Sequence, residues 1–162
     1  MKLLTQALDD HALREGDSLA LRFLVTGDCD GECVELSYAQ FRARALGIAA
    51  ELQKRLEVGD RVLLLYDGGV DFIVAMYGCL YAGVIAVPTY PPDPGRLHRT
   101  LPRLQAIAED AGATVVLTTG GILSVAEPLC QQVEELTSLS WISTPDLTTP
   151  PEQFSSVSLD LG

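Results

Sequence analysis

Apolar positions along this chain follow two alternating rhythms. Leu4, Ala7, Leu8 and Ala12 fall on one helical stripe, which predicts a short amphipathic helix over residues 3–14. Residues 19–25 and 32–37 are strand-like, and the turn formers Thr26-Gly27-Asp28-Cys29-Asp30-Gly31 between them predict a β-hairpin. Ser37 with Gln40 three residues on makes a capping box. The helix it opens is striped by Phe41, Ala45, Ile48, Ala49, Leu52 and Leu56 and is ended by Gly59. Residues 61–66 form an apolar strand, Asp67-Gly68-Gly69 a turn, residues 70–82 a helix stopped by Gly83, and residues 84–87 another buried strand. Thr100 is placed to cap a helix with Pro102 in its first turn, running through Ile107 to Ala111. Residues 114–118 are the next strand. Ile122, Val125, Ala126, Leu129, Val133 and Leu136 mark a further helix bent at Pro128, and residues 139–143 a last short strand.

Strands alternating with helices at this spacing predict an α/β fold, a largely parallel sheet flanked by helices, with an N-terminal β-hairpin. Buried parallel strands read as unbroken apolar runs, as residues 62–65, 84–87 and 114–117 do. From Thr144 the chain changes character: Thr144-Pro145, Thr148-Thr149-Pro150-Pro151 and Ser155-Ser156. An α/β unit over 1–143 is therefore expected to lead into a Pro/Ser/Thr-rich linker over 144–162. No internal repeat is present. A chain of 162 residues makes one domain, or part of one.

Composition narrows the function classes. With 48% hydrophobic residues and a mean hydropathy of +0.22, the chain is no disordered acidic tail. The net charge is −11, and all eleven basic residues lie at or before Arg103. Nucleic acid and anionic membranes are unlike partners for such a surface. The uncharged run 72–92 has its dense apolar part over 72–87, short of the ~20 residues a spanning helix needs, and it is broken by Gly78 and Gly83; a buried helix followed by a buried strand fits it better. The first residues carry no secretory leader pattern, so Cys29, Cys33, Cys79 and Cys130 are expected as free thiols of a cytoplasmic protein. Cys29 and Cys33 alone make no zinc site, and Asp28/Asp30/Gly31 lacks most positions of a calcium loop. No metal site is expected.

In an open parallel sheet, ligands bind beyond the carboxyl ends of the strands. Three such ends are visible: Tyr66-Asp67-Gly68-Gly69, Pro88-Thr89-Tyr90 and Thr118-Thr119-Gly120-Gly121. Two are Gly-bearing turns able to face an anion, but neither has a GxGxxG pattern or a P-loop lysine. His98 with Arg96, Arg99 and Arg103 is the one basic cluster. It reads first as a solvated helix approach, and second as a contact to an anion such as a phosphopantetheine or nucleotide. Residues 89–100, TYPPDPGRLHRT, form about twelve irregular residues stiffened by three prolines, a length that is often functional inside a domain. Tyr90, Pro91, Pro92 and Pro94 are the candidate walls of a substrate channel. No catalytic constellation is present.

Leu36-Ser37-Tyr38-Ala39-Gln40-Phe41 resembles the first core motif of the acyl-adenylate-forming ligases, and Leu80-Tyr81-Ala82-Gly83-Val84-Ile85-Ala86-Val87-Pro88 resembles their second. Gly59-Asp60-Arg61-Val62 stands between them in the family's order. Gly78-Cys79 ahead of the second motif, Tyr90-Pro91-Pro92 after it, Pro102 to Ile107 and Val115 to Thr119 are similar to the fatty acyl-AMP ligases. The resemblance covers roughly residues 19–142 and implies the first part of the large N-terminal domain of such a ligase. It implies ATP and Mg as requirements of the complete enzyme, a fatty acid substrate, and an acyl carrier protein as acceptor, feeding polyketide or lipopeptide assembly. The family's Ser/Thr/Gly-rich phosphate loop with its lysine, its nucleotide-binding motifs and its catalytic C-terminal lysine have no counterpart in these residues, and Asp67-Gly68 stands where prolines are usual. No catalytic, cofactor-binding or metal-binding residue carries over, so the fragment alone is expected to be inactive and, lacking the remainder of the ligase, to form a homodimer through exposed apolar surface. The alternative is a stand-alone α/β module that docks a carrier protein.

Overall fold

Ser37 is where local chemistry hands the chain from sheet to helix. Its hydroxyl accepts from the Gln40 amide while the Gln40 side chain accepts from the Ser37 N–H, at 3.3 and 2.9 Å. This reciprocal cap opens α2, Tyr38–Gln53. Before it lie α1, Leu4–Glu15, and the antiparallel hairpin of β1, Leu19–Leu24, and β2, Cys33–Ser37. The computed structural model describes residues 3–157, without the side chains of Pro94 and Glu135. After α2 come β3, Arg61–Leu65, α3, Val70–Ala82, β4, Ile85–Thr89, and α4, Leu97–Ala111. The chain continues through β5, Val115–Thr118, α5, Gly120–Cys130, and β6, Ser140–Ser143.

The four later strands form one parallel sheet in the order β4-β3-β5-β6. Alternation along the strands splits the core in two. Val62, Leu64 and Leu117 face α2 and α3, with α1 and the hairpin beyond; Leu63, Leu65 and Val116 face α4 and α5. The expected α/β architecture with its hairpin is what the chain forms. No helix among the described residues is long and apolar enough to cross a membrane. The run 72–87 divides into α3 and β4 because Gly83 takes φ +75, a left-handed C-cap that other residues resist, and the Val84 amide turns back to the Cys79 carbonyl at 3.1 Å.

Three boundaries differ from the sequence expectation. The helix of α2 closes at Gln53, and Gly59 instead shapes the turn before β3, its amide donating to the Gly83 carbonyl at 2.9 Å. The irregular segment after β4 is shorter than twelve residues: a 3-10 turn at Pro94–Arg96 runs straight into α4. Pro102 thus lies inside the helix, and Thr100 does not cap it; its hydroxyl stitches the approach instead, accepting from the Asp93 amide at 3.2 Å and lying 3.2 Å from the Arg96 carbonyl. The helix of α5 stops at Cys130 rather than reaching Leu136, its end closed by the Gln131 amide donating to the Glu127 carbonyl at 3.0 Å. A separate 3-10 turn, Glu134–Leu136, then seats Leu136 in the second core.

Among its described residues the segment after β6 contains no helix longer than one turn, yet it is strapped across α2. Leu147 and Phe154 pack on the first core, and the Phe154 ring meets Tyr81 edge-on. Gln53 holds the backbone of Ser155 from both sides, donating to its carbonyl at 2.8 Å and accepting from its amide at 3.1 Å. The strap passes so close that a Cβ on Gly47 would lie 2.9 Å from the Thr149 carbonyl. Its main polar tie is Glu51, only 8% exposed. One carboxylate oxygen accepts from Arg55 at 2.8 Å; the other accepts from Lys54 at 3.1 Å and from the Thr149 hydroxyl at 2.8 Å.

Burial alone raises the Glu51 pKa, but these donors from Arg55, Thr149 and Lys54 outweigh it and hold the carboxyl down at about 2, against its ordinary 4.5. A depressed folded-state pKa contributes stability that is present above 4.5 and lost as pH falls toward 2. Because the cationic partners are half in solvent, screening limits the contribution to about 1 kcal/mol. Glu51→Gln is expected to lower the melting temperature at pH 7 and to match the native chain near pH 2. An equal gap at both pH values would show that the carboxylate's charge is not what holds the strap.

Candidate functional site

The connectivity of the sheet singles out one edge. β3 connects through α3 to β4 on one side, while β5, its neighbour on the other side, connects through α5 to β6. The chain therefore leaves adjacent carboxyl ends in opposite directions, which opens a crevice between them. A cleft of about 740 Å3 lies there. Tyr90, Pro91 and Pro92 form one wall and Ile122, Val125 and Ala126 of α5 the other, with Asp67, Thr119 and Arg103 as polar groups. All three carboxyl ends singled out in the sequence contribute to it.

Of the four channel candidates, three meet at the cleft. Tyr90 is 80% exposed, Pro91 is half-buried and Pro92 is buried. Pro94 opens the following 3-10 turn, and its side chain lies outside the described residues. Asp93 fixes that turn by accepting the Gly95 amide at 2.8 Å, so the prolines end in a hydrogen-bonded knot. Across the cleft Thr119 caps α5. Arg103 projects from the second turn of α4 on the exposed side.

Beneath the cleft lies a hydroxyl lattice that the local sequence pattern did not announce. Thr118 donates to the Leu65 carbonyl at 2.7 Å. Thr144 lies 3.3 Å from the Thr118 carbonyl, and the Tyr66 hydroxyl lies 2.9 Å from Thr144. With Thr144 donating to that carbonyl, Tyr66 donates to Thr144, and every proton has a place. Burial pushes the Tyr66 phenol upward in pKa, so it stays a neutral donor. The lattice ties the carboxyl ends of β3, β5 and β6 together. Its one sequence signal was polarity at the end of each apolar run; the pairing of residues 66 and 144 had none.

The remaining candidates carry no chemistry of this kind. Asp28 accepts the Asp30 amide at 3.1 Å and so shapes the hairpin turn. No group of three metal-ligating side chains occurs among the described residues. Cys29 and Cys33 are exposed free thiols, whereas burial pushes the Cys79 thiol up to about 12 and the Cys130 thiol up to about 11, which keeps both protonated and inert. A groove of about 800 Å3 between α1, α2 and the strap already holds its own pair, Arg42 on Asp9 at 2.6 Å, and no strand end reaches it.

Residues 8–158 match the AMP-binding enzyme family. The chain is 44% identical over 135 residues to the medium-chain-fatty-acid–acyl-carrier-protein ligase of Moorena producens, covering 83% of this chain and 22% of that protein. It is 42% identical over 106 residues to a long-chain-fatty-acid–AMP ligase of Mycolicibacterium smegmatis, covering 64% and 16% respectively. Its structure superposes on a fatty acyl-adenylate ligase from L. pneumophila, crystallised with acyl adenylate and pyrophosphate, with a TM-score of 0.80 and 29% identity over 96% of this chain and 25% of that one. The chain thus spans a quarter or less of these three proteins, and they do not favour the stand-alone module. Sheet, switch-point cleft and sequence agree: the chain belongs to the AMP-binding enzyme family, and these three relatives are fatty-acid ligases.

Proposed function

We propose that this chain forms the N-terminal part of a fatty acyl-AMP ligase, which activates a fatty acid with ATP and passes the acyl group to an acyl carrier protein. The observation that carries the reading is a cleft with apolar walls at the switch point of a sheet whose relatives are fatty-acid ligases. In the proposed reaction a carboxylate oxygen attacks the α-phosphorus of ATP and pyrophosphate leaves. The carrier's phosphopantetheine thiol then attacks the acyl carbonyl, and AMP leaves. Adenylation is needed because a carboxylate is a poor electrophile with no good leaving group. No lysine lines the cleft, and no group of three metal-ligating side chains occurs among the described residues. In this reading ATP and Mg are requirements of the complete enzyme. Fatty-acid-dependent exchange of pyrophosphate into ATP by the full-length enzyme tests the reading; absence of exchange with medium and long acyl chains would overturn it.

Within this reading Tyr90, Pro91, Pro92 and Pro94 wall the acyl or pantetheine channel, because a stiff segment beside the strand ends holds its shape without a partner. In the full-length ligase, Pro91→Gly and Pro92→Gly are expected to shift chain-length preference or carrier transfer severalfold while the melting temperature changes by only a few degrees. Loss of stability with unchanged kinetics would make the loop a structural crossover. Residues 144–162 lead into the remainder of the ligase, and the strap docks the start of that connection on α2. Without the remainder, exposed Leu4, Leu13, Val58 and Ile85 offer apolar surface for a homodimer.

A further inference from the structure

We infer that the outward face of α4 is the docking surface for an acidic carrier protein, with Arg96, Arg99 and Arg103 meeting negative charge on the carrier beside the mouth of the cleft. The inference rests on the ligase reading and assigns a surface within it. The inward side of α4 is accounted for: Leu101, Leu104, Ile107 and Ala108 pack into the second core. Arg99 and Arg103, four residues apart, share the opposite side, Arg96 lies in the turn just before the helix, and all three are exposed.

Most of the other basic side chains are partnered differently, although Arg14 donates to the Asp10 carbonyl at 3.2 Å and exposed Arg61 has no acidic partner among the described residues. Arg22 pairs with Glu35, Arg42 with Asp9, Arg44 with Asp71, and Lys54 and Arg55 with Glu51. In a chain with 22 acidic and 11 basic residues, such pairing is easily found. Arg99 and Arg103 nonetheless have no acidic partner among the described residues, and Arg96 has only a long 3.9 Å contact with Asp93. The helix is also charged against its own dipole. Arg96, His98 and Arg99 crowd its amino end, where no acid occupies the first turn, while Glu109 and Asp110 lie near its carboxyl end, where no base occupies the last. The macrodipole favours the reverse arrangement. A local rule broken on an exposed face, with only the long Arg96–Asp93 contact among the described residues to compensate, marks a demand from outside the chain.

Position supplies the rest. Thr100 and Arg103 of the same helix line the cleft, so a partner seated on the stripe stands next to the opening its thiol arm must enter. The net charge of −11 repels an acidic partner from most other approaches, which makes this face the one where steering and docking coincide.

The test uses the full-length enzyme and its Arg96→Glu/Arg99→Glu variant, leaving Arg103 in the cleft untouched. Acyl transfer is measured with holo acyl carrier protein, with free phosphopantetheine and with free pantetheine, beside pyrophosphate exchange and the melting temperature. The expected result is a KM for the carrier raised about tenfold at low ionic strength, with the difference collapsing as salt screens it. Exchange and transfer to both small thiols stay unchanged, and the melting temperature holds or rises, since the variant relieves the dipole conflict. An unchanged carrier KM overturns the inference. An equal loss with phosphopantetheine but not pantetheine also overturns it, because the stripe then reads the phosphate of the arm. A lowered melting temperature with a parallel fall in exchange assigns the arginines a structural role and overturns it too. Failure of the unmodified enzyme to exchange pyrophosphate is a separate outcome, which removes the ligase reading and the docking surface with it.

Discussion

The 162-residue chain by itself will exchange no pyrophosphate into ATP when given a fatty acid. Under the proposed function, adenylation needs the triphosphate held so that the carboxylate attacks in line with the departing pyrophosphate. Arg103 is the one cationic side chain lining the described cleft, and it is exposed. Removing preorganised charge stabilisation around a transferring phosphoryl group costs on the order of a thousandfold per group, so several missing groups leave nothing above a blank. The same preparation is expected to elute as a dimer at two concentrations in light scattering. Leu13 is 87% exposed and Leu4 61%, both on α1, whereas the net charge of −11 opposes open-ended aggregation. Exchange by the chain alone would refute the division of labour proposed here. A clean monomer that binds no apolar dye would show that the chain closes its own core, and would favour an independent module.

Gly78→Ala is expected to destabilise the fold by about 2 kcal/mol, against the usual benefit of replacing a helical glycine. In an open helix the change gains up to about 1 kcal/mol. Here a Cβ would lie 2.5 Å from Cγ2 and 2.8 Å from Cβ of Ile48, and 3.3 Å from the Ala45 carbonyl. Ile48 is 3% exposed in α2 and β-branched, so it has no other rotamer to yield into. The two helices must separate, and with them the first core that covers one face of the sheet. For a chain of this length such a loss lowers the melting temperature by about 5 °C. Ile48→Ala removes the obstructing branch, so the double variant should be less destabilised than the two singles summed, by about 1–2 kcal/mol. Strict additivity would mean that the close approach at Gly78 is not what sets the distance between α2 and α3.

What local pattern could specify depends on how far apart the determining residues lie. Element type and order were legible wherever a signal sits within one turn of what it controls. The Ser37–Gln40 box starts α2 as read, α3 ends at Gly83 as read, and the alternation of strands and helices specified a parallel sheet with a hairpin before it. The carboxyl-end turns were legible as the place for chemistry because the sheet's parallel character alone puts ligands there. The sequence could not place the start of α4, since the 3-10 turn that feeds it is held by Asp93 and Thr100 acting across seven residues.

Other features came only with the tertiary fold. Glu51 and Thr149 are 98 residues apart, and Tyr66 and Thr144 are 78 apart; no local propensity encodes either contact. Composition after Thr144 marks the absence of regular structure, and it is silent on whether an irregular segment is free or tied, because that depends on what surface passes beneath it. The arginines of α4 were visible as a cluster. That Arg99 and Arg103 have no acidic partner among the described residues was not, because pairing depends on which carboxylates the fold brings within reach. The sequence by itself determined which elements form and that their strand ends would carry function. Only packing decided how those ends are locked to one another and which charges are left facing outward, since both are set by distances between segments that local pattern does not contain.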